Sequence, residues 1–229
     1  HNEVVPYFNG SGSFIEVPYS SMLNLTPPYT IETWVIYENG SSDAPIIDLS
    51  TRYGGYLLFI RDGKVWLTQG FGNNAYTTKL TVNEGVWTHI VVSFNGTHTT
   101  FYIDAQKEVV TGPEFRPLNE TLPMWIGRRL WAPSIFYKGV IGVINIYTNS
   151  LSDNDVLSTY ITSLEPPYLK LREEESSSSG DMFVYEILSP TLLNTSSSKD
   201  VKVNGVSWSI ANFSSPIPDI VLSLNLFSQ

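Results

Sequence analysis

Residues 87–104 read WTHIVVSFNGTHTTFYID, and this stretch decides the fold class. Both of its halves are rich in β-branched and aromatic residues, and between them lies Asn95-Gly96, a dipeptide that favours the two-residue turn of a β-hairpin. Asp62-Gly63 and Asn204-Gly205 also separate short β-type runs, so each predicts a further hairpin. The chain therefore has the pattern of an antiparallel β protein.

The rest of the first half of the chain has the same punctuated pattern. Short runs such as residues 30–36 and 56–60 recur about every 8–12 residues, with turn residues between them. No long stretch has the 3.6-residue period of an amphipathic helix, and the helix candidate is residues 152–157, where Ser152 can cap the first turn. The spacing predicts an all-β fold, an antiparallel two-sheet β-sandwich or jelly roll.

Composition divides the chain into three parts. Residues 1–164 carry the regular strand pattern and form the predicted sandwich. Residues 165–181 contain Pro166-Pro167, a run of Glu and a run of Ser, which is typical of a linker or an exposed loop with a solvated acidic run. Residues 182–229 return to β character and form a small C-terminal module.

The C-terminal module is too short to bury a sufficient core of its own, and the chain has no cysteine to cross-link it. Its last strand places four apolar side chains on one face, and we interpret it as an assembly strand. These four residues are Ile220, Leu222, Leu224 and Leu226. Pairing with a neighbouring subunit and packing against the chain's own sandwich are equally compatible with this pattern.

Charge and hydropathy exclude several classes of function. The net charge is −9 and the basic residues are scattered, whereas nucleic-acid binding needs clustered Lys and Arg. No apolar run approaches the ~18 residues that suggest a membrane-spanning helix, so we expect no membrane insertion. The chain begins His1-Asn2-Glu3, which fits either a mature N-terminus left by signal cleavage or a trimmed boundary.

Seven Asn-x-Ser/Thr sequons without a central Pro predict an N-glycosylated protein that is extracellular or at a cell or virion surface. Chance would give about three such triplets in a chain of this composition. Asn39-Gly40 and Asn95-Gly96 have a second explanation, because both are also good turn dipeptides. The sequon asparagines are Asn9, Asn24, Asn39, Asn95, Asn119, Asn194 and Asn212.

Short motifs follow one another in a family-specific order. They are FIEVP at 14–18, YTIETWV at 29–35, GVWTHIVV at 85–92, FYID at 101–104, WIGR at 125–128 and YKGVI at 137–141. Together they resemble the laminin G-like domains of the concanavalin A-like lectin/glucanase superfamily over about residues 5–162. The resemblance implies two stacked antiparallel sheets, and it does not extend to residues 165–229.

The chain departs from this family at the calcium site. Many members hold calcium with acidic residues in the first loop and in a late Ile-Asp-Glu-Val strand. Here the first loop, residues 9–13, has no acid, and Gly142 stands where the Asp would lie. A hard cation prefers several oxygen ligands, above all carboxylates, so we expect neither a calcium site nor a cofactor.

The sequence also lacks the groups that an enzyme of this fold needs. Relatives that hydrolyse glycans with retention use two carboxylates about 5–5.5 Å apart, which on one strand would read Glu-x-Asp or Glu-x-Glu. No β run has this pattern, and Glu32 stands alone in its strand. His1, His89 and His98 are too far apart in sequence to indicate a metal cluster, and we interpret His89 as a packed core residue. We therefore expect a non-enzymatic protein.

Two functions fit these observations. The first is a surface-assembly or adhesion protein of a cell coat, filament or virion, whose partners are further copies or other surface proteins. The alternative is a glycan-binding, lectin-like module, in which exposed aromatic rings and polar neighbours form the sugar site. Core packing competes as an explanation for each aromatic residue. The candidate ligand-binding residues are Arg52, Tyr53, Tyr56, Phe71, Tyr76, Arg128 and Trp131.

Overall fold

The computed structural model describes residues 7–38, 43–69 and 75–164, and the backbone of three later strands at residues 198–203, 206–211 and 220–225. Several sequence-based predictions lie outside the described residues: the linker at 165–181, the turn at Asn204-Gly205 and the last member of the assembly strand, Leu226.

The strands of the described part are numbered along the chain. They are β1 Tyr7–Asn9, β2 Ile15–Val17, β3 Tyr29–Tyr37, β4 Ala44–Ser50, β5 Gly55–Arg61, β6 Lys64–Gln69, β7 Ala75–Thr77, β8 Trp87–Phe94, β9 His98–Ile103, β10 Gln106–Thr111, β11 Met124–Ile126, β12 Lys138–Tyr147, β13 Ser198–Val203, β14 Val206–Ala211 and β15 Ile220–Asn225. A 3-10 turn covers Ser21–Leu23 and helix α1 covers Asp153–Leu164.

These strands form two antiparallel sheets. The first sheet has the order β1-β12-β3-β8-β9-β10, and β15 also pairs with β12. The second sheet has the order β14-β13-β2-β11-β4-β5-β6-β7. This arrangement confirms the predicted all-β, two-sheet antiparallel sandwich.

Both predicted hairpins that fall within the described residues form, but only the β5–β6 hairpin has the predicted two-residue turn. In the β8–β9 hairpin, residues 95–98 separate the last strand pair, and Gly96 but not Asn95 has a positive φ. In the β8–β9 hairpin the last pair is Phe94 with Thr99, and Oδ1 of Asn95 accepts the backbone N–H of His98 at 2.8 Å. In the β5–β6 hairpin, Asp62 and Gly63 have φ values of 52° and 67°. Positive φ at both central residues is the requirement of a type I′ turn, which explains why a dipeptide ending in Gly stands there.

The core lies between the sheets and follows the alternation of the strands. On β3, Ile31 and Val35 point inward and are fully buried, whereas Glu32 and Trp34 lie on the outer face of the first sheet. Burial of one aliphatic side chain of this size contributes about 1.5–3 kcal/mol, so the many inward-facing residues of both sheets provide the main stabilisation.

Helix α1 packs on the outer face of the first sheet. Ser152 caps it as predicted: its hydroxyl accepts the backbone N–H of Asp155 at 3.2 Å, and its own N–H donates to Oδ2 of Asp155 at 2.9 Å. The helix runs further than the predicted residues 152–157, because Val156 and Tyr160 both contact the sheet. Neither this helix nor the 3-10 turn has the length and hydropathy that crossing a membrane requires.

The last three strands pair with strands of the sandwich. On the second sheet, Lys202 and Val203 of β13 lie opposite Glu16 and Ile15 of β2. On the first sheet, β15 runs beside β12 from Ile220 to Asn225, on the edge that β1 also occupies. The C-terminal strands therefore extend both sheets of the same chain, while exchange of these strands between copies stays a proposal.

Candidate functional site

The β4–β5 turn carries two of the predicted ligand-binding residues. The hydroxyl of Thr51 accepts hydrogen bonds from the backbone N–H groups of Tyr53 and Gly54, both at 3.1 Å. Gly54 allows a close approach of the chain, since a Cβ there would lie 2.1 Å from the carbonyl oxygen of Pro117. The turn is thus held on both sides, while Arg52 is exposed and Tyr53 is 74% exposed.

Trp131 lies beside this turn. Its indole N–H donates to the carbonyl oxygen of Ser50 at 2.7 Å, and its side chain is 57% exposed. An exposed indole with a fixed hydrogen bond has one defined orientation and loses little freedom when a ligand stacks on it. The structure therefore brings Arg52, Tyr53 and Trp131 to one corner of the second sheet, and we call these three residues the aromatic platform.

A buried carboxylate fixes the segment that carries Trp131. Oδ2 of Asp48 accepts the backbone N–H of Leu130 at 2.8 Å, and Oδ1 accepts the hydroxyl of Ser50 at 2.5 Å. Burial raises the pKa of Asp48, although the hydrogen bonds from Ser50 and Leu130 and the charge of Arg129 act in the opposite direction. The platform therefore rests on a polar network beneath the surface.

Asp43 and Arg129 extend this network. Nη1 of Arg129 donates to Oδ2 of Asp43 at 3.0 Å, and Nε of Arg61 donates to Oδ1 of Asp43 at 2.5 Å. Sequence reasoning missed Asp43 and Asp48. A signal existed, because both acids lie beside or inside the apolar run at residues 44–49, where an unpaired charge would be costly.

Arg128 occupies a different environment from its neighbour Arg129. Its guanidinium lies over the rings of Phe14, Trp125 and Phe136, with Cζ 4.6, 4.1 and 5.4 Å from the ring centroids. Trp125 pairs with Asp48 across β11 and β4, so this cluster lies on the same outer face of the second sheet as the network that supports the platform.

The remaining predicted ligand-binding residues do not join the platform. Tyr56 packs in the core against Tyr29, with ring centroids 6.1 Å apart, and it is therefore removed from the candidate set. It lies on β5 just after the turn, where the strand alternation directs its ring inward. Tyr76 is half-buried and its ring covers Gly112, and Phe71 lies outside the described residues.

The outer face of the first sheet carries a second polar cluster. His89 is packed there and fully buried, as the sequence indicated, whereas its pairing with Glu32 was not foreseen. Glu32 accepts hydrogen bonds from His89 Nε2 at 2.9 Å and from the Tyr147 hydroxyl at 2.6 Å, and Asn145 Nδ2 lies 3.0 Å away. Burial alone would raise the pKa of Glu32, but these hydrogen bonds and the charge of His89 lower it to about 2. His89 and Trp34 lie beneath Tyr160 of helix α1, so the cluster is shielded from solvent.

Candidate metal ligands are scattered in the described part of the chain. Within residues 7–38, 43–69 and 75–164, no group of three or more His, Asp or Glu side chains is arranged to hold a metal ion. In the first loop, Oδ1 of Asn9 accepts the backbone N–H groups of Ser11 and Gly12 at 2.9 and 3.1 Å. The amide group of Asn9 thus closes this loop by hydrogen bonds.

Solved structures of several lectin-like proteins have the same fold. A candidate carbohydrate-binding protein from Bacteroides ovatus is 16% identical with a TM-score of 0.53, over 68% of this chain and 46% of its own. The botulinum neurotoxin serotype G binding domain is 16% identical with a TM-score of 0.54, over 71% and 45%. Domain 4 of an extracellular arabinanase from Geobacillus stearothermophilus, solved with arabinotriose, is 20% identical with a TM-score of 0.52, over 66% and 74%.

These likenesses define the fold and no more, because the identities are low. The chain spans less than half of the Bacteroides and neurotoxin chains. No curated protein sequence matches it. A family model for laminin G-like domains, described as the concanavalin A-like lectin/glucanases superfamily, matches residues 9–157, which is well over half of the chain. The chain therefore belongs to the laminin G-like family of the concanavalin A-like lectin/glucanases superfamily.

Proposed function

We propose that this protein is a non-enzymatic extracellular adhesion module that binds a glycan at the aromatic platform. The observation that carries the proposal is that two strongly exposed rings lie at one turn: the backbone N–H of Tyr53 is hydrogen-bonded within the turn, and the indole N–H of Trp131 is hydrogen-bonded to Ser50 beside it. Large exposed rings are costly in water unless they serve a contact, and rigid rings lose little entropy on binding.

The chemistry of the platform suits a sugar. The C–H faces of a pyranose or furanose ring stack on aromatic side chains, and its hydroxyl groups need hydrogen-bond donors and acceptors nearby. Arg52 is exposed in the same turn and supplies donors beside Tyr53. Two proteins of the same fold, the candidate carbohydrate-binding protein from Bacteroides ovatus and the arabinanase domain solved with arabinotriose, support this class of ligand.

The buried carboxylates of Glu32 and Asp48 have structural roles. Glu32 and His89 are buried under helix α1, and Asp48 is buried under the segment that carries Trp131. A substrate would have to displace these elements to reach either carboxylate. This placement favours a binding function over hydrolysis.

The proposal is tested by glycan-array binding followed by affinity measurement on the strongest ligand. Replacement of both Tyr53 and Trp131 with Ala is expected to weaken binding by about tenfold or more, which corresponds to about 1.4 kcal/mol. Tyr7→Ala is the matched control, because Tyr7 is a half-exposed tyrosine on the first sheet. Equal affinity of the double variant and the wild type would overturn the proposal, as would an array without any bound glycan.

Surface assembly is a second candidate, which the placement of β15 favours. This strand pairs along an edge of β12 through backbone hydrogen bonds. An edge strand of this kind can be donated to the same edge of a neighbouring copy. Replacing Leu222 and Leu224 with Asp is expected to abolish assembly or to lower the melting temperature. If native assembly and melting both persist, β15 has no role in either.

A further inference from the structure

The guanidinium of Arg128 lies on a surface formed by three aromatic rings. Phe14 and Trp125 stack in parallel with centroids 5.2 Å apart and planes 12° apart, and Phe136 closes the cluster. The guanidinium lies over all three rings, nearest to Trp125 at 4.1 Å. Stacking on rings fixes the plane of a guanidinium and leaves its N–H edge free to bind in one direction.

The guanidinium of Arg128 makes no ion pair in the described part of the chain, whereas three other arginines do. In the described part of the chain, the ion pairs of arginine involve Arg61, Arg116 and Arg129. Arg128 is in none of them, and its Nε is buried without a hydrogen-bond partner. Glu16 is the acid whose charge acts on it, from beyond ion-pair distance.

Burial makes a guanidinium without an anionic partner energetically costly. Desolvation lowers the pKa of Arg128, and the charge of Glu16 opposes this effect only in part. Arg52 also lies outside these ion pairs, but it is exposed and keeps its hydration. Among the described residues, a half-buried, oriented cation without an anion is therefore found at Arg128, and an external anion would compensate its charge.

We infer that the glycan of the proposed site carries a carboxylate, and that Arg128 binds this carboxylate through its free N–H edge. The inference rests on the proposed function. Arg128 and Trp131 lie three residues apart, so their Cα atoms are at most ~11 Å apart, within reach of one short oligosaccharide. Both are in the segment between Gly127 and Tyr137, which is closed by a hydrogen bond from Tyr137 N–H to the Gly127 carbonyl at 2.8 Å.

A carboxylate fits this site better than other anions do. The guanidinium fork makes two parallel hydrogen bonds to the two oxygens of a planar carboxylate. The net charge of −9 repels densely charged polyanions, so an isolated carboxylate on an otherwise neutral sugar chain is the favoured ligand. The rings around Arg128 would then pack against the sugar that bears the acid.

The test is an array that contains each carboxylated oligosaccharide together with its carboxyl-reduced neutral form and a sulfated form. The probes are oligosaccharides of uronic acids and of sialic acids. Wild-type protein is expected to bind a carboxylated probe about tenfold or more tightly than its reduced form. Arg128→Gln should remove this preference, whereas Arg128→Lys, which keeps the charge but lacks the planar fork, should retain a part of it. Lys107→Gln, which removes one exposed charge on β10 of the first sheet, should leave the preference unchanged.

The outcomes separate this inference from the proposed function. Equal binding of acidic and reduced probes by the wild type overturns the inference without any variant, and so does a preference that survives in a folded Arg128→Gln protein. If only sulfated probes bind, the recognised anion is a sulfate and the inference is again overturned. Neutral glycans that bind through Tyr53 and Trp131 but ignore Arg128 overturn this inference and leave the proposed function intact. An array with no bound probe overturns both.

Discussion

Nε2 of His89 lies 2.9 Å from Oε1 of Glu32, and both side chains are buried between the first sheet and helix α1. The two residues lie on adjacent strands: Trp34 of β3 is opposite His89 of β8, and Glu32 is two positions before Trp34. They are therefore diagonal neighbours on one face. Tyr160 covers them by stacking on Trp34 with ring planes 5° apart. The charge of this buried carboxylate makes the stability of the fold dependent on pH.

We predict that acid destabilises the protein through Glu32. This carboxyl has its ordinary pKa of 4.5 when unfolded and a pKa of about 2 when folded. Because the folded pKa is depressed, the stabilisation is complete above the unfolded value and is lost as the pH falls from about 5 to 2. The shift corresponds to about 3 kcal/mol. Denaturant unfolding as a function of pH measures it, and Glu32→Gln should flatten the curve, whereas Glu120→Gln, at an exposed acid, should not.

A second prediction concerns Gly127, where the segment that carries Arg128 and Trp131 begins. Its φ is +78°, and an added Cβ would lie 2.5 Å from the ring of Phe8. Gly127→Ala should therefore destabilise the fold by about 1–3 kcal/mol and weaken glycan binding. Gly12→Ala is the control, because a Cβ there has no atom within 4 Å. Thermal melting of both variants checks this, and equal melting temperatures would show that Phe8 moves away freely.

Local patterns were sufficient to predict the hairpins and the fold, but not the polar clusters. The turn at Asn95-Gly96 depends on neighbouring residues, whereas the pair of Asp43 with Arg129 joins positions 86 residues apart. Such pairs follow from the order and register of strands, which a single sequence does not specify. The same limit explains why Tyr56 was wrongly predicted to bind a ligand. Its stretch is rich in aromatic and Gly residues, but β5 begins at Gly55 and directs the ring of Tyr56 into the core.

A third prediction is that calcium removal leaves stability unchanged. Oδ1 of Asn9 accepts backbone N–H groups of residues 11–13, so the first loop is closed by hydrogen bonds in which an amide oxygen is already occupied. A metal ion would have to displace these donors and would find no acidic side chain in the loop. Melting in EDTA and in excess calcium should give the same midpoint within about 1 °C. A rise with calcium would reveal a site that includes residues outside the described part.

The last prediction ranks the sequons by the surroundings of their asparagines. Asn95 is exposed, and its Oδ1 accepts both the backbone N–H and the hydroxyl of Thr97, at 3.0 and 3.1 Å. Asn9 makes the same pair of hydrogen bonds with Ser11. In both residues the side-chain oxygen accepts these hydrogen bonds, and the side-chain nitrogen, which would carry the sugar, is on the other side of the amide group.

Asn24 differs, because it is half-buried and its Oδ1 is buried without a hydrogen-bond partner. A half-buried asparagine is less accessible to glycosylation than an exposed one, so we expect glycans at the exposed Asn9, Asn95 and Asn119 and fewer at Asn24. Asn39, Asn194 and Asn212 lie outside the described residues and are predicted from the sequon alone. Glycopeptide mass spectrometry of protein from its native source measures the occupancy of each site. Full occupancy at Asn24 would contradict the ranking, and a bare polypeptide mass would contradict the extracellular glycoprotein altogether.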